Sequence, residues 1–68
     1  MNLFDVPLSD EALDALLFDR VVRACRVRAC LPAVEVGSID ERHALERLAR
    51  KGALKRVWCA TGHGYVPA

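Results

Sequence analysis

The stretch that decides the fold is SIDERHALERLARKGALKRVWCATGHGYVP, residues 38–67. It opens with Ser38 and Glu41 at the spacing of a capping box, in which two side chains satisfy backbone amides at a helix N-terminus. Gly52 follows two basic residues, as is typical of a helix end. We therefore predict a helix over about residues 39–51. The apolar residues that share one face of this helix are Ala44, Leu45, Leu48 and Ala49.

The second part of the same stretch has the composition of a β-hairpin. Residues 54–60 are rich in strand-forming side chains. Residues 61–64, Thr-Gly-His-Gly, are a turn signal, and residues 65–66 begin a short return strand. Pro67 ends the pairing because it has no amide hydrogen. The sequence predicts a hairpin over about residues 54–66, and an α+β fold for the chain.

A first helix is predicted over about residues 10–28. Ser9 is a preferred N-cap residue, and Pro32 disfavours helical geometry before it. The apolar stripe of this helix is broad, which indicates either a central helix packed on two sides or a face used for dimerisation. Residues 33–36 are ambiguous, because they fit either a short strand or a single helical turn. The stripe consists of Leu13, Leu16, Leu17, Val21 and Ala24, widened by Phe18, Val22 and Cys25.

Length and composition indicate one small folded domain. The chain has 68 residues, 53% hydrophobic and 28% charged, and a domain of this size buries only roughly 60% of the surface of its unfolded chain. No apolar run approaches the roughly 20 residues that span a bilayer. The first ten residues lack the pattern of a signal peptide, and three cysteines are too few for a disulfide scaffold. We therefore expect a cytoplasmic protein without a membrane partner.

Charge is distributed unevenly along the chain. Residues 1–19 carry five acidic and no basic side chains, whereas residues 20–68 carry ten basic and four acidic ones. A basic face with an acidic back fits a surface that contacts phosphates. The alternative is an ordinary solvated surface.

The helix and hairpin of residues 38–67 resemble the end of a winged helix-turn-helix domain. The residues that carry the resemblance are Leu45, Leu48, Gly52, Leu54, Gly62, Gly64 and Tyr65. In that family a recognition helix ends at a glycine, and a strand, a flexible wing tip and a return strand follow. The family also places a helix of two or more turns before the recognition helix. Here only residues 31–37 are available for it, so that helix is expected to be shortened, replaced by a strand or supplied by the first helix.

The resemblance implies a set of DNA-contacting residues. Those implied to face the major groove are Arg42, His43 and Arg47, and an Arg fork there can grip guanine. Those implied to contact the backbone are Arg50, Lys51, Lys55 and Arg56, with His63 at the wing tip of residues 61–64. The competing interpretation is a solvated helix face. Glu46 lies within this surface and repels phosphate unless it pairs with Arg42 or Arg50, four residues away on either side.

Three other patterns involve cysteine or aromatic side chains. Cys25, Cys30, Cys59 and His63 could close a zinc site, although buried free cysteine is the more common outcome. Cys59 and His63 alone do not define a nucleophile and base, so we expect no catalytic residues and no cofactor. Trp58 and Tyr65 could pair across the hairpin. Trp58 is expected to pack against the first helix, and the alternative is an aromatic anchor in an interface.

The sequence is consistent with two functions of different classes. The first is a small DNA-binding transcriptional regulator, expected to be a homodimer because one short recognition helix offers little affinity. The second is a protein-binding module, such as a phage or mobile-element inhibitor of a host protein complex, that keeps a winged-helix shape without binding DNA. Steep loss of affinity with salt distinguishes the first from the second.

Overall fold

A computed structural model describes residues 9–68 of the chain. Its elements are helix α1 (Asp10–Val27), strand β1 (Leu31–Pro32), a short 3-10 helix (Ala33–Glu35), helix α2 (Ile39–Arg50), strand β2 (Leu54–Cys59) and strand β3 (Gly62–Pro67). The predicted α+β class and both predicted helices are confirmed. Neither helix is long and apolar enough to cross a membrane within this part of the chain.

Helix α1 starts where the sequence predicts. The Ser9 hydroxyl accepts a hydrogen bond from the backbone amide of Ala12 at 3.2 Å, and Asp10 and Glu11 stand in the first turn. Such a cap satisfies one of the free amides of a helix start, and the two acids suit the positive end of the helix dipole. The capping box expected for α2 does not form, because the Ser38 side chain makes no cap hydrogen bond.

The ambiguous segment at residues 33–36 is helical over residues 33–35, and a short strand lies just before it. Leu31 and Pro32 form β1, and residues 33–35 form a single helical turn (hereafter the 33–35 turn). Val36 then brings a fully buried side chain into the core. The helix expected before α2 is therefore reduced to one turn.

The predicted hairpin is part of a larger sheet. β1, β3 and β2 form a three-stranded antiparallel sheet in that order, so that β3 lies in the middle. The expected wing at residues 61–64 is wrong in detail. Cys59 pairs with Gly62, and only Ala60 and Thr61 join the strands. Gly62 at φ 125° occupies backbone that favours glycine and closes this tight turn.

One core holds the two helices against the sheet. Its buried members are Leu17, Val21, Leu31, Val36, Ala44, Leu45, Leu48, Leu54 and Tyr65. Each fully buried leucine contributes roughly 1.5–3 kcal/mol relative to an exposed one. Leu16, a member of the predicted α1 stripe, and Phe18, which widened it, are both exposed. They lie on opposite flanks of Leu17, because successive helical residues are about 100° apart. The breadth of the stripe therefore does not come from packing on two sides within residues 9–68.

Two of the three cysteines are joined, contrary to the expectation of free thiols. Cys30 and Cys59 form a disulfide that passes over the middle strand at Gly64. A Cβ at Gly64 would lie 2.5 Å from the Cys59 sulfur and 2.8 Å from the Cys30 sulfur, so a side chain there would collide with the bridge. Cys25 remains a free thiol of intermediate burial. Gly64 is thus a strand residue at which the disulfide leaves no room for a side chain. It is not part of a flexible wing tip.

Candidate nucleic-acid interface

Arg47 contacts α1 instead of standing free on the α2 surface. Its Nε and Nη2 donate hydrogen bonds to Oδ1 of Asp14 at 3.0 and 2.7 Å, and Lys51 Nζ lies 3.4 Å from Oδ2. We call Asp14, Arg47 and Lys51 the helix–helix cluster. The Arg47 hydrogen bond holds the pKa of Asp14 below its usual range, although burial of the carboxylate acts in the opposite direction. Two of the eight predicted DNA-contacting residues therefore hold α2 against α1.

Asp14 is the positioning residue that sequence reasoning missed. It lies on the core-facing stripe of α1, between Leu13 and Leu17, and only 9% of its side chain is exposed. An acid at such a position needs a cationic partner, since an unpaired buried charge is strongly unfavourable. An acidic residue on the apolar stripe of α1 was therefore the signal in the sequence for a cationic partner. Arg47 and Lys51 were the candidates for that partner.

Arg42 is oriented by the backbone. Its Nε donates a hydrogen bond to the carbonyl oxygen of Val36 at 2.9 Å, while the residue is exposed. The hydrogen bond uses one of the five guanidinium N–H donors and leaves the terminal amino groups available to a ligand. Because this hydrogen bond already holds the Arg42 side chain in place, the side chain would lose less entropy on contacting a ligand.

Glu46 has a different partner from those expected. The Tyr65 hydroxyl donates to Oε1 at 2.9 Å, and Arg56 Nη2 pairs with Oε2. We call Glu46, Arg56 and Tyr65 the ribbon cluster, the ribbon being the β2–β3 hairpin. Burial acts to raise the pKa of Glu46, but the Tyr65 hydrogen bond and the Arg56 charge outweigh it and lower that pKa. The pairing with Arg42 or Arg50 is therefore wrong, because the ribbon lies nearer to the carboxylate than either helical neighbour does.

The remaining predicted residues adjoin one another around Glu46. One cleft of about 200 Å³ brings Arg42 and Glu46 beside His63, and a second of about 370 Å³ joins Glu46, Arg56, Trp58 and His63. Two further clefts continue this surface along α2 and onto β2. We call the surface the basic arc. Its cationic or titratable members are Arg42, His43, Arg50, Lys55, Arg56 and His63.

Most of the basic arc is free of internal ion pairs. Among residues 9–68, a carboxylate lies within 4.0 Å of Arg56 but not of the other five members. Apart from Glu46, the acidic residues nearest to the basic arc along the chain are Asp40 and Glu41 at the start of α2. Glu41 pairs with Arg20 of α1. Unpaired arginine and lysine side chains beside an ion-paired carboxylate are suited to contact phosphates.

Trp58 does not pack against α1. Its side chain is 87% exposed, and its partner across the ribbon is His63, not Tyr65. Tyr65 lies opposite Arg56 and is buried. The prediction was wrong because β2 runs past the core: Leu54 begins the strand inside, and Trp58 lies four residues farther along the ribbon.

The four residues considered as a zinc site are divided. Cys30 and Cys59 bond to each other, and the Cys25 sulfur lies 3.9 Å from the carbonyl oxygen of Tyr65. Residues 9–68 contain no group of three or more His, Cys, Asp and Glu side chains arranged to hold a metal ion.

The chain matches no known protein-family model, no curated protein and no solved structure. The fold and the placement of charged and aromatic side chains are therefore the grounds for a functional assignment. They define a small α+β domain whose exposed cations adjoin along one helix and one ribbon.

Proposed function

We propose that this protein binds duplex DNA, with α2 and the ribbon turned toward it, and acts as a small transcriptional regulator without catalytic activity. The observation that carries the proposal is the basic arc. It joins Arg42, His43 and Arg50 of α2 to Lys55 and His63 of the ribbon. Electrostatic attraction to phosphates supplies most of the affinity of such surfaces.

The order of elements supports a winged-helix-like interpretation. A helix, a short strand, a helical turn, a second helix and a hairpin follow one another, and the first strand pairs with the last. The 33–35 turn stands where the family has its bracing helix. Ion pairs substitute for the missing length, because Arg20 joins Glu41 at 3.2 Å and Arg28 pairs with Glu35. These contacts attach the turn and the start of α2 to α1.

The proposal assigns different roles to the predicted residues. Arg42 and His43, near the start of α2, face the base edges, and Arg50, Lys55 and His63 contact phosphates. Arg47 and Lys51 position α2 through Asp14 and reach DNA only indirectly. Those assigned to direct contact are thus the five arc members that lack a carboxylate partner.

Salt dependence and charge-removal variants test the proposal. We expect a fluorescently labelled duplex to bind in anisotropy measurements, with affinity falling steeply between roughly 50 and 200 mM salt. Lys55→Ala should reduce the slope of log affinity against log salt by about 1, and Arg42→Ala, which removes a side chain assigned to the base edges, should weaken binding by about 1–3 kcal/mol. The matched control is Arg26→Ala, which removes the same charge from the exposed last turn of α1.

Two outcomes would contradict the DNA assignment. One is the absence of any binding at low salt. The other is an equal effect of Arg26→Ala and Arg42→Ala, since that would mean that only net charge matters.

DNA as the ligand also implies a cytoplasmic location. The cytoplasm is a reducing compartment, in which disulfides such as Cys30–Cys59 are uncommon.

A second candidate is a protein-binding module, such as a phage or mobile-element inhibitor of a host complex. Two exposed apolar side chains favour it: Val34 is 62% exposed, and Trp58 borders the cleft next to the one that Val34 lines. Such a protein should bind no heparin and should retain its partner at high salt. A homodimer is proposed for the DNA-binding form only, and size-exclusion chromatography with light scattering measures it directly.

A further inference from the structure

The exposure of Trp58 calls for an explanation, because it is the protein's only tryptophan and 87% of its side chain faces solvent. A tryptophan offers roughly 150–250 Å² of surface for burial, and the core of so small a domain does not use it. The residue opposite it in the ribbon is His63, which is also exposed. An aromatic pair is thus presented at the end of the ribbon.

Strand alternation shows which side of the ribbon Trp58 occupies. Leu54, Arg56 and Trp58 project from one face of β2, because side chains alternate along a strand. Leu54 enters the core and Arg56 pairs with Glu46 of α2, so this is the face that carries the helices. Trp58 therefore stands on the same side of the ribbon as Arg56 and His63 of the basic arc, farther along β2 than the ion pair of Arg56 with Glu46.

The surroundings of Trp58 indicate the chemistry of its ligand. The cleft of about 370 Å³ at its side is lined by Glu46, Arg56, Val57 and His63, so three of these four neighbours carry ionisable side chains. The anchoring pocket of a protein interface is packed and desolvated. Proteins bind single-stranded nucleic acid by stacking a base on an exposed aromatic ring while nearby cations follow the phosphates.

The strand edge argues against a second copy of the chain as the occupant. β2 is the outer strand of the sheet, and it carries Lys55 and Arg56. Charged side chains, lysine above all, protect an edge strand from pairing with another edge. Two copies joined along β2 would bring these like charges together.

We propose that Trp58 stacks on an unpaired nucleobase, so that the preferred ligand is duplex DNA with single-stranded bases beside it. This inference rests on the proposed DNA binding and narrows its ligand. α2 and the cations contact the duplex, while the indole ring of Trp58 takes the first unpaired base. His63 lies across the ribbon from it and borders the same cleft.

Because Trp58 is the only tryptophan, its fluorescence reports on this site alone. Three probes are titrated: a blunt duplex, the same duplex with a short thymidine overhang, and single-stranded oligothymidine. Affinity is measured separately by anisotropy of a dye on the DNA. We expect the tailed duplex to bind roughly five- to a hundredfold more tightly than the blunt one and to quench Trp58. Trp58→Phe should keep much of this preference and Trp58→Ala should lose it, whereas Val27→Ala, at another exposed apolar residue, should change neither.

The outcomes separate this inference from the proposed function. Equal affinity for tailed and blunt duplexes, or equal quenching by both, overturns the stacking proposal and leaves DNA binding intact. No binding of any probe at low salt overturns both. A blue shift of Trp58 emission that grows with protein concentration in the absence of DNA shows that a second copy covers the ring, and this too overturns the proposal.

Discussion

The two carboxylate clusters on either side of α2 use the same chemistry for different ends. In the helix–helix cluster, Asp14 is 9% exposed and binds Arg47 and Lys51. In the ribbon cluster, Glu46 is 36% exposed and binds Arg56 and Tyr65. Both fix α2, the first to α1 and the second to the sheet. The difference is access: the carboxylate of Asp14 is largely buried, whereas Glu46 is partly exposed in the surface proposed to contact DNA.

The largest effect is expected from breaking the helix–helix cluster. Arg47→Ala leaves a buried carboxylate without its main partner and should reduce the free energy of unfolding by about 1–3 kcal/mol. Arg56→Ala should reduce it by less than about 1 kcal/mol, because Glu46 keeps Tyr65 and reaches water. Urea denaturation at neutral pH measures both. Arg50→Ala is the control, since it removes an exposed α2 arginine that has no carboxylate partner among residues 9–68. Equal losses for Arg47→Ala and Arg50→Ala would contradict the assignment.

Acid should remove the contribution of the same cluster. The pKa of Asp14 is lowered in the folded state, mainly by the Arg47 hydrogen bond. Its stabilising effect is therefore fully present above the unfolded pKa of about 3.9 and is lost as the pH falls through the lower folded pKa. Melting temperatures of the wild type and Asp14→Asn should differ at pH 7 and converge below about pH 4. A difference that stays constant down to the lowest pH would show that the Asp14 charge adds no stability.

Replacing the acid by an apolar residue should cost less than removing its partner. Asp14→Leu extends the buried stripe of α1 and frees Arg47, whose side chain is 33% exposed, to reach water. Exchanging a buried ion pair for apolar contact is often neutral or stabilising, so we expect a change within about 1 kcal/mol. The same urea experiment tests this value. A loss larger than that of Arg47→Ala would mean that the leucine does not fit the contact between the helices.

Local patterns in the sequence predicted the elements that depend on neighbours in the chain. The spacing of Leu45 and Leu48, the N-cap Ser9 and the stop at Gly52 define two helices whose observed ends agree to within about one residue, the usual precision of such bounds. The strand β1 and its pairing with β3 were not predictable in this way. A strand of two residues shows no periodic pattern in the sequence. Its residue Leu31 pairs with Tyr65, which lies more than thirty positions farther along the chain.

The candidate site was predictable in membership but not in arrangement. The helix and hairpin patterns predicted eight residues on α2 and the ribbon, and the structure brings six of the eight together in the basic arc. Which of them carry an ion pair depends on residues distant in sequence: Asp14 binds Arg47 across 33 positions, and Arg56 binds Glu46 across 10. Exposure of Trp58 depends on where the ribbon passes the core, which composition does not encode.

The smallest and most specific prediction concerns the charge at the centre of the basic arc. Glu46→Gln keeps an oxygen that can accept from Tyr65 but removes a negative charge that repels phosphate and occupies Arg56. DNA affinity at low salt should rise about two- to tenfold, and the salt slope should steepen by up to about 1 as Arg56 becomes available. Glu11→Gln is the matched control, because it removes the same charge from an exposed residue in the first turn of α1, outside the basic arc. If both variants raise the affinity equally, net charge explains the gain and the basic arc is not the DNA-binding surface. If only Glu46→Gln does so, the position of the carboxylate decides its effect, as the comparison of the two clusters requires.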